Sequence, residues 1–188
     1  MGLLALMLIH EARRRTRTDA EGEVILLEDQ DRRLWNRALI KEGDALIRRS
    51  LLTRNFGHFT LEAAIASVHA EAAEAADTDW AEIVGLYDLL YRADPSPVVE
   101  LNRAVALAMR DGPEAGLAII DAIFARGELR EYQPAHASRA ELLRRLGRFS
   151  MAIEAFNKAR ELSGQGPTTR FIDRRLRELG ASSEGRGS

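Results

Sequence analysis

Two short stretches hold the residues best suited to chemistry. "DQDRRLW" at 29–35 sets Asp29 and Asp31 two apart, with Arg32 and Trp35 close behind. "HAEAAEAADTDW" at 69–80 supplies His69, Glu71, Asp77, Asp79 and Trp80. Such carboxylates could ligate a metal, work as an acid and base pair, or meet a partner. The spacing weighs against a metal. On a helix His69 and Glu71 point about 200° apart, and a zinc-protease helix needs two histidines where this stretch has one. A catalytic zinc also draws about three protein ligands from converging directions. The competing reading is local. An aspartate at a helix start accepts a backbone N–H, and further acids in the first turn meet the positive end of the helix dipole. Trp35 and Trp80 would then anchor the two helix starts in the core. Arg32 and Arg33 become ion partners worth only about 0–1 kcal/mol at a surface. No metal, no cofactor and no catalytic residue is expected from either stretch.

Other chemistry is thinner. The chain has no cysteine, which removes disulfides, thiolate metal sites and thiol nucleophiles. "GQGP" at 164–167 lacks the spacing and the lysine of a phosphate loop. No recognisable motif pairs a nucleophile with any of the four histidines, and His136 falls at a large-residue position where packing is the default. Arginine clusters at 13–17, 48–49, 144–145 and 174–177 are dispersed among acids and read as solvated helix faces. With a net charge of -2 there is no general pull toward nucleic acid or an anionic membrane.

The elements that must position these residues are helices. Apolar residues recur every three to four positions, and Ala, Leu, Glu and Arg dominate. Only "EVILLE" at 23–28 is strand-like, too short and isolated to build a sheet. The expected class is all-α, a helical array of antiparallel helix pairs with about nine helices. These are expected near 2–17, 30–52, 59–75, 79–92, 97–110, 113–125, 134–146, 149–162 and 168–179. In the second, Leu34, Ala38, Leu39, Leu46 and Leu51 are expected to face inward. "DPSPVV" marks a boundary, which divides the chain into an atypical helical part at 1–94 and a repeat part at 95–180. The small, polar tail at 181–188 is expected to be disordered. "MGLLALMLIHEARRR" has an apolar run of about eight residues, short of the roughly 18 that span a bilayer. Its basic cluster follows the apolar run and no cleavage site appears, so it reads as a first helix of a cytoplasmic protein. The abrupt start suggests the back part of a longer polypeptide.

Within the second part the helix pairs repeat. "HASRAELLRRLGRFSMAIEAFNKARELS" matches the tetratricopeptide pattern. Ala140 takes the small position where paired helices touch, Leu143 is apolar, and Gly147 makes the turn. Ala152, Phe156 and Ala159 form the small–aromatic–small row of the second helix. About 36 residues earlier, Ala104 and Leu107, then Gly116, Ile120 and Ile123, repeat the frame more weakly, close to the usual 34-residue period. This frame implies a right-handed superhelix.

Three longer stretches carry a resemblance. "LLALMLIHEARRRTRTDAEGEVILLEDQDRRLWNRALIKEG", "AAIASVHAEAAEAADTDWAEIVGLYDLLYRADPSPVVELNRAVALA" and "GPEAGLAIIDAI" resemble the C-terminal tetratricopeptide-like extension of a subgroup of extracytoplasmic-function RNA polymerase sigma factors. The resemblance runs from Gly2 to about Leu179. It implies a non-catalytic domain that supports or tunes transcription initiation. The implied partners are the sigma regions of the same full-length protein, RNA polymerase or a regulatory protein, with no direct nucleic acid contact from this segment and no membrane. Neither a promoter-melting helix nor a helix-turn-helix is present, so those regions would precede Met1. The characteristic acid-and-tryptophan motifs fall on Asp29, Asp31, Arg32 and Trp35, and on His69, Glu71, Asp77, Asp79 and Trp80. Two other readings stay open: a generic peptide-binding scaffold outside transcription, and a metal-dependent sensor or enzyme that would need the acids to converge.

Overall fold

The structure is a computed structural model that describes residues 1–20, 22–54 and 56–184, with side chains as far as residue 180. Among the described residues there are nine α-helices and no sheet. The protein is an all-α helical array. It divides between Val99 and Glu100 into two compact units, the second also taking in Gly22–Val24.

The first unit holds α1 (Gly2–Ala12), α2 (Arg37–Leu52), α3 (His58–Glu71) and α4 (Trp80–Ala93). Its core gathers Ala5, Ile9 and Ala12 of α1, Ile40 and Ile47 of α2, and Ala63 and Ala70 of α3 around Trp35. α3 packs against α1, α2 and α4, which is why it is buried at Leu61, Ala63, Ile65, Val68 and Ala70 instead of along one stripe.

Three helix ends of this unit differ from the sequence expectation, the third being α3, which stops at Glu71 and not near residue 75, with a separate 3₁₀ turn at Ala75–Asp77. α1 stops at Ala12, and the arginine run beyond it forms a separate 3₁₀ turn at Arg14–Thr16. α2 starts at Arg37, not near residue 30, because Asn36 caps it by accepting the Ala38 and Leu39 N–H groups at 3.1 and 3.2 Å. Its inward face is therefore Ile40, Gly43, Ile47 and Ser50. Leu34 is 61% exposed and Leu51 and Ala38 are also exposed, so the expected stripe is corrected at these three positions, while Leu39 and Leu46 do pack against the core. Gly43 belongs to that face because a side chain there would lie 2.7 Å from Ile9 Cγ1. A small residue admits close helix contact, and hydrophobicity alone does not mark it.

The second unit holds α5 (Pro97–Asp111), α6 (Pro113–Ala125), α7 (Gln133–Arg145), α8 (Phe149–Glu161) and α9 (Pro167–Glu184). Four of the chain's five prolines start these helices, where a missing N–H costs nothing and the fixed φ already suits a helix. Ala104, Leu117, Ile120, Ile123, Ala140, Leu143, Ala152, Phe156, Ala159 and Ile172 share one core, and Leu107 is buried as well. Gly116 lets α5 and α6 close together: a side chain there would run into the Ala104 carbonyl and lie 2.6 Å from Ala108 Cβ. Gly147 takes φ +71° between α7 and α8, while the Arg148 N–H reaches back to the Leu143 carbonyl at 2.9 Å. His136 stacks on Phe124 with ring centres 4.7 Å apart. α9 continues to Glu184, so the expected tail begins in helix. Residues 185–188 lie outside the described residues.

Candidate functional site

The two motif stretches meet in the first unit, and an arginine joins them. Arg32 is buried at 6% exposure, and its Nη1 donates to the carbonyls of His69 and of Ala72, the latter at 3.0 Å. Arg37 donates to the Ala70 carbonyl at 3.1 Å and to the Arg32 carbonyl at 3.3 Å. The His69, Ala70 and Ala72 carbonyls belong to the last turn and the C-cap of α3, where carbonyls have no intrahelical donor. Two guanidinium groups supply those donors, and cations also suit the negative end of the helix dipole.

Trp35 is the floor of the seam. It is 3% exposed, and its Nε1 donates to Thr16 Oγ1 at 3.0 Å. Thr16 lies in the 3₁₀ turn after α1, so the ring ties the end of α1 to the approach to α2. The Arg32 and Arg13 guanidinium carbons lie 4.9 and 5.8 Å from the Trp35 ring centre, within cation–π range. Trp80 differs from Trp35: it is half-buried at the first residue of α4, with its ring edge-on to His69 at 5.2 Å. Trp35 is a core anchor, whereas Trp80 is not fully in the core.

The carboxylates do separate jobs. Asp31 caps the 3₁₀ turn Arg32–Leu34 through the Arg33 N–H at 3.0 Å. It also takes the Arg33 guanidinium at 2.8 and 2.9 Å, and this hydrogen bonding holds its carboxyl below the usual range. Asp77 accepts the Glu74 N–H at 3.2 Å. Asp79 caps α4 by accepting the Glu82 N–H at 2.9 Å. Asp29 lies exposed in the 3₁₀ turn Leu27–Asp29. Glu71 is pushed up by burial and by the nearby Asp44 and Glu82 carboxylates. Among the described residues no three histidine, aspartate or glutamate side chains come together in a way that could hold a metal ion.

Arg37, Thr16 and Asn36 complete the seam without having been singled out in the sequence, and with them Arg13, whose reading as part of a solvated face at 13–17 is corrected, since it is half-buried against the Trp35 ring. Asn36 had a readable signal, an asparagine just before an apolar helical pattern. The three others had none, since their partners are a ring and backbone carbonyls distant in sequence.

His69 gives the seam a pH dependence. Burial, with Arg13 and Arg32 nearby, pushes its imidazole down to about 4. The folded protein thus keeps His69 neutral at pH values where the unfolded chain, titrating near 6.5, takes up a proton. Stability is full above about pH 6.5 and falls as the pH drops toward 4, by on the order of 2 kcal/mol after allowing for partial exposure. His10, lowered by burial and by Arg13 and Arg17, acts in the same direction. Melting temperature measured from pH 7 to 4.5 should fall less steeply in His69→Gln than in the unaltered chain. Identical slopes would show that the fold does not hold this imidazole neutral.

An uncharacterized protein of Rhizobium meliloti (strain 1021) is 46% identical over 181 residues, 96% of this chain. The chain spans 42% of that protein's length. No solved structure matches the chain significantly. Residues 1–51, which carry α1, the first acid-and-tryptophan stretch and most of α2, match a family of unknown function, DUF6596.

Proposed function

We propose that this chain is a non-catalytic regulatory and protein-interaction domain of an extracytoplasmic-function sigma factor. It works in the cytoplasm, follows the two sigma regions, and supports or modulates transcription initiation through contacts with those regions or with RNA polymerase. One observation carries the reading: the two stretches on which the resemblance rests interlock through Arg32 and the end of α3. Motifs spent on holding a helical scaffold together suit a domain that acts by presenting surfaces. The 42% share of a longer relative also agrees with a domain that works inside a larger polypeptide. Among the described residues no helix is long and apolar enough to cross a membrane.

The test is deletion of this domain from the full-length protein, followed by transcription from a cognate promoter and by co-purification with core polymerase. Changed transcription together with sigma regions encoded ahead of Met1 is the expected result. Unchanged transcription and unchanged binding would overturn the proposal.

A further inference from the structure

Three helix ends converge at one pole of the first unit. Gly2 of α1 sits so close to the first turn of α3 that a side chain there would lie 2.6 Å from the Thr60 nitrogen. Ser50 at the end of α2 and Thr60 at the start of α3 share a buried hydrogen bond of 2.9 Å. Around these contacts large apolar side chains stay in solvent: Leu52 at 82%, Leu3 at 48%, Phe56 at 40% and Phe59 at 39%. A helix that is apolar on every side, as α1 is up to Ile9, is normally covered on all of them.

The charge at this pole has one sign. Residues 1–10 and 45–61 contain no aspartate or glutamate, while Arg49 and Arg54 are exposed and form no ion pair among the described residues. The first acid on α3, Glu62, is half-buried near the Tyr87 phenol. α3 starts at His58 behind Gly57 with no side chain capping its N–H groups and no acid in its first turn. Its positive end therefore adds to the two arginines.

We propose that this pole is a docking surface for an acidic amphipathic helix of a polypeptide partner. The apolar side of that helix seats on Leu52, Phe56 and Phe59, and its carboxylates face Arg49 and Arg54 beside the first turn of α3. The inference rests on the reading above only in taking the domain to act by binding a polypeptide. Charge complementarity selects the partner. Two arginines give too few phosphate contacts to hold nucleic acid, and at about 1 kcal/mol per cation they give a membrane little electrostatic hold. A helix that brings both leucines and carboxylates satisfies the whole surface.

The probe is a fluorescein-labelled peptide of about 18 residues, with leucine and glutamate at helical spacing, titrated into the 188-residue chain. Its lysine counterpart, a DNA oligonucleotide and phosphatidylserine vesicles form the comparison arms. The acidic peptide should bind, the lysine peptide should not, and Leu52→Glu or Arg49→Glu/Arg54→Glu should weaken binding about tenfold or more. Leu52 is so exposed that Leu52→Glu should melt like the unaltered chain, which keeps the comparison clean. No binding of the acidic peptide, equal binding of the lysine peptide, or binding only of DNA or vesicles would each overturn the proposal. In the full-length transcription assay Leu52→Glu should reproduce much of the effect of deleting the domain. If deletion changes transcription and Leu52→Glu does not, the docking surface fails and the functional reading stands. If deletion changes nothing, the functional reading fails.

Discussion

Ala152→Asp should unfold the second unit at temperatures where Arg177→Ala leaves it intact. Ala152 is 0% exposed in a core shared with Ala140, Leu143, Phe156 and Ala159. A carboxylate there loses its water, gains no apolar contact, and must be accommodated in the core between the packed helices α7 and α8. Burying an unpaired charge in this way costs several kcal/mol, a large part of what a domain has. Arg177 is exposed, and its Nε donates to the Asp173 carbonyl at the long distance of 3.4 Å. Removing it should change stability by no more than about 0.5 kcal/mol. Thermal unfolding followed by circular dichroism separates the two variants. Equal melting temperatures would mean that the repeat frame places α8 wrongly.

Trp35→Ala is the second large effect, a loss of about 3–5 kcal/mol from deleting a fully buried aromatic. The loss has three parts. The cavity opens beneath α1, α2 and α3; Thr16 loses the indole donor at 3.0 Å; and Arg32 and Arg13 lose the ring face they rest on. Trp35→Phe separates these parts, since it keeps an aromatic face and drops only the donor and some volume, for about 1–2 kcal/mol. Trp80→Ala should cost less, about 1–2 kcal/mol, because its ring is only half-buried. Urea unfolding of the three variants tests the ordering. Equal losses for the two alanine variants would place Trp80 in the core beside Trp35. Loss of transcription by Trp80→Ala at unchanged stability would instead make its exposed edge a contact surface.

The helical class and the second unit were largely legible in the sequence. Helix propensity, prolines at helix starts and small residues at fixed intervals are local properties, and each leaves its mark within a few residues. Ala104, Gly116, Ala140 and Ala152 could be placed because close helix contact demands small residues at those positions. The first unit was less legible for a stated reason. The start of α2 at Arg37 depends on Asn36, the inward face of α2 on Gly43 and Ser50, and the motif seam on backbone carbonyls at the end of α3. A carbonyl is present at every residue, so no residue type announces which one an arginine will reach.

The acid-and-tryptophan stretches show the same division. From sequence alone they could be recognised as related, but the helix-start reading holds for Asp79 at α4 and is corrected at the first stretch, where Asp31 caps only a 3₁₀ turn, Asp29 caps no helix and Asn36 starts α2. That Arg32 joins them, that Trp35 is buried while Trp80 is half-exposed, and that the acids point to separate tasks were decided only by packing. Burial depends on which surfaces distant segments bring together, and local residue pattern does not carry that information.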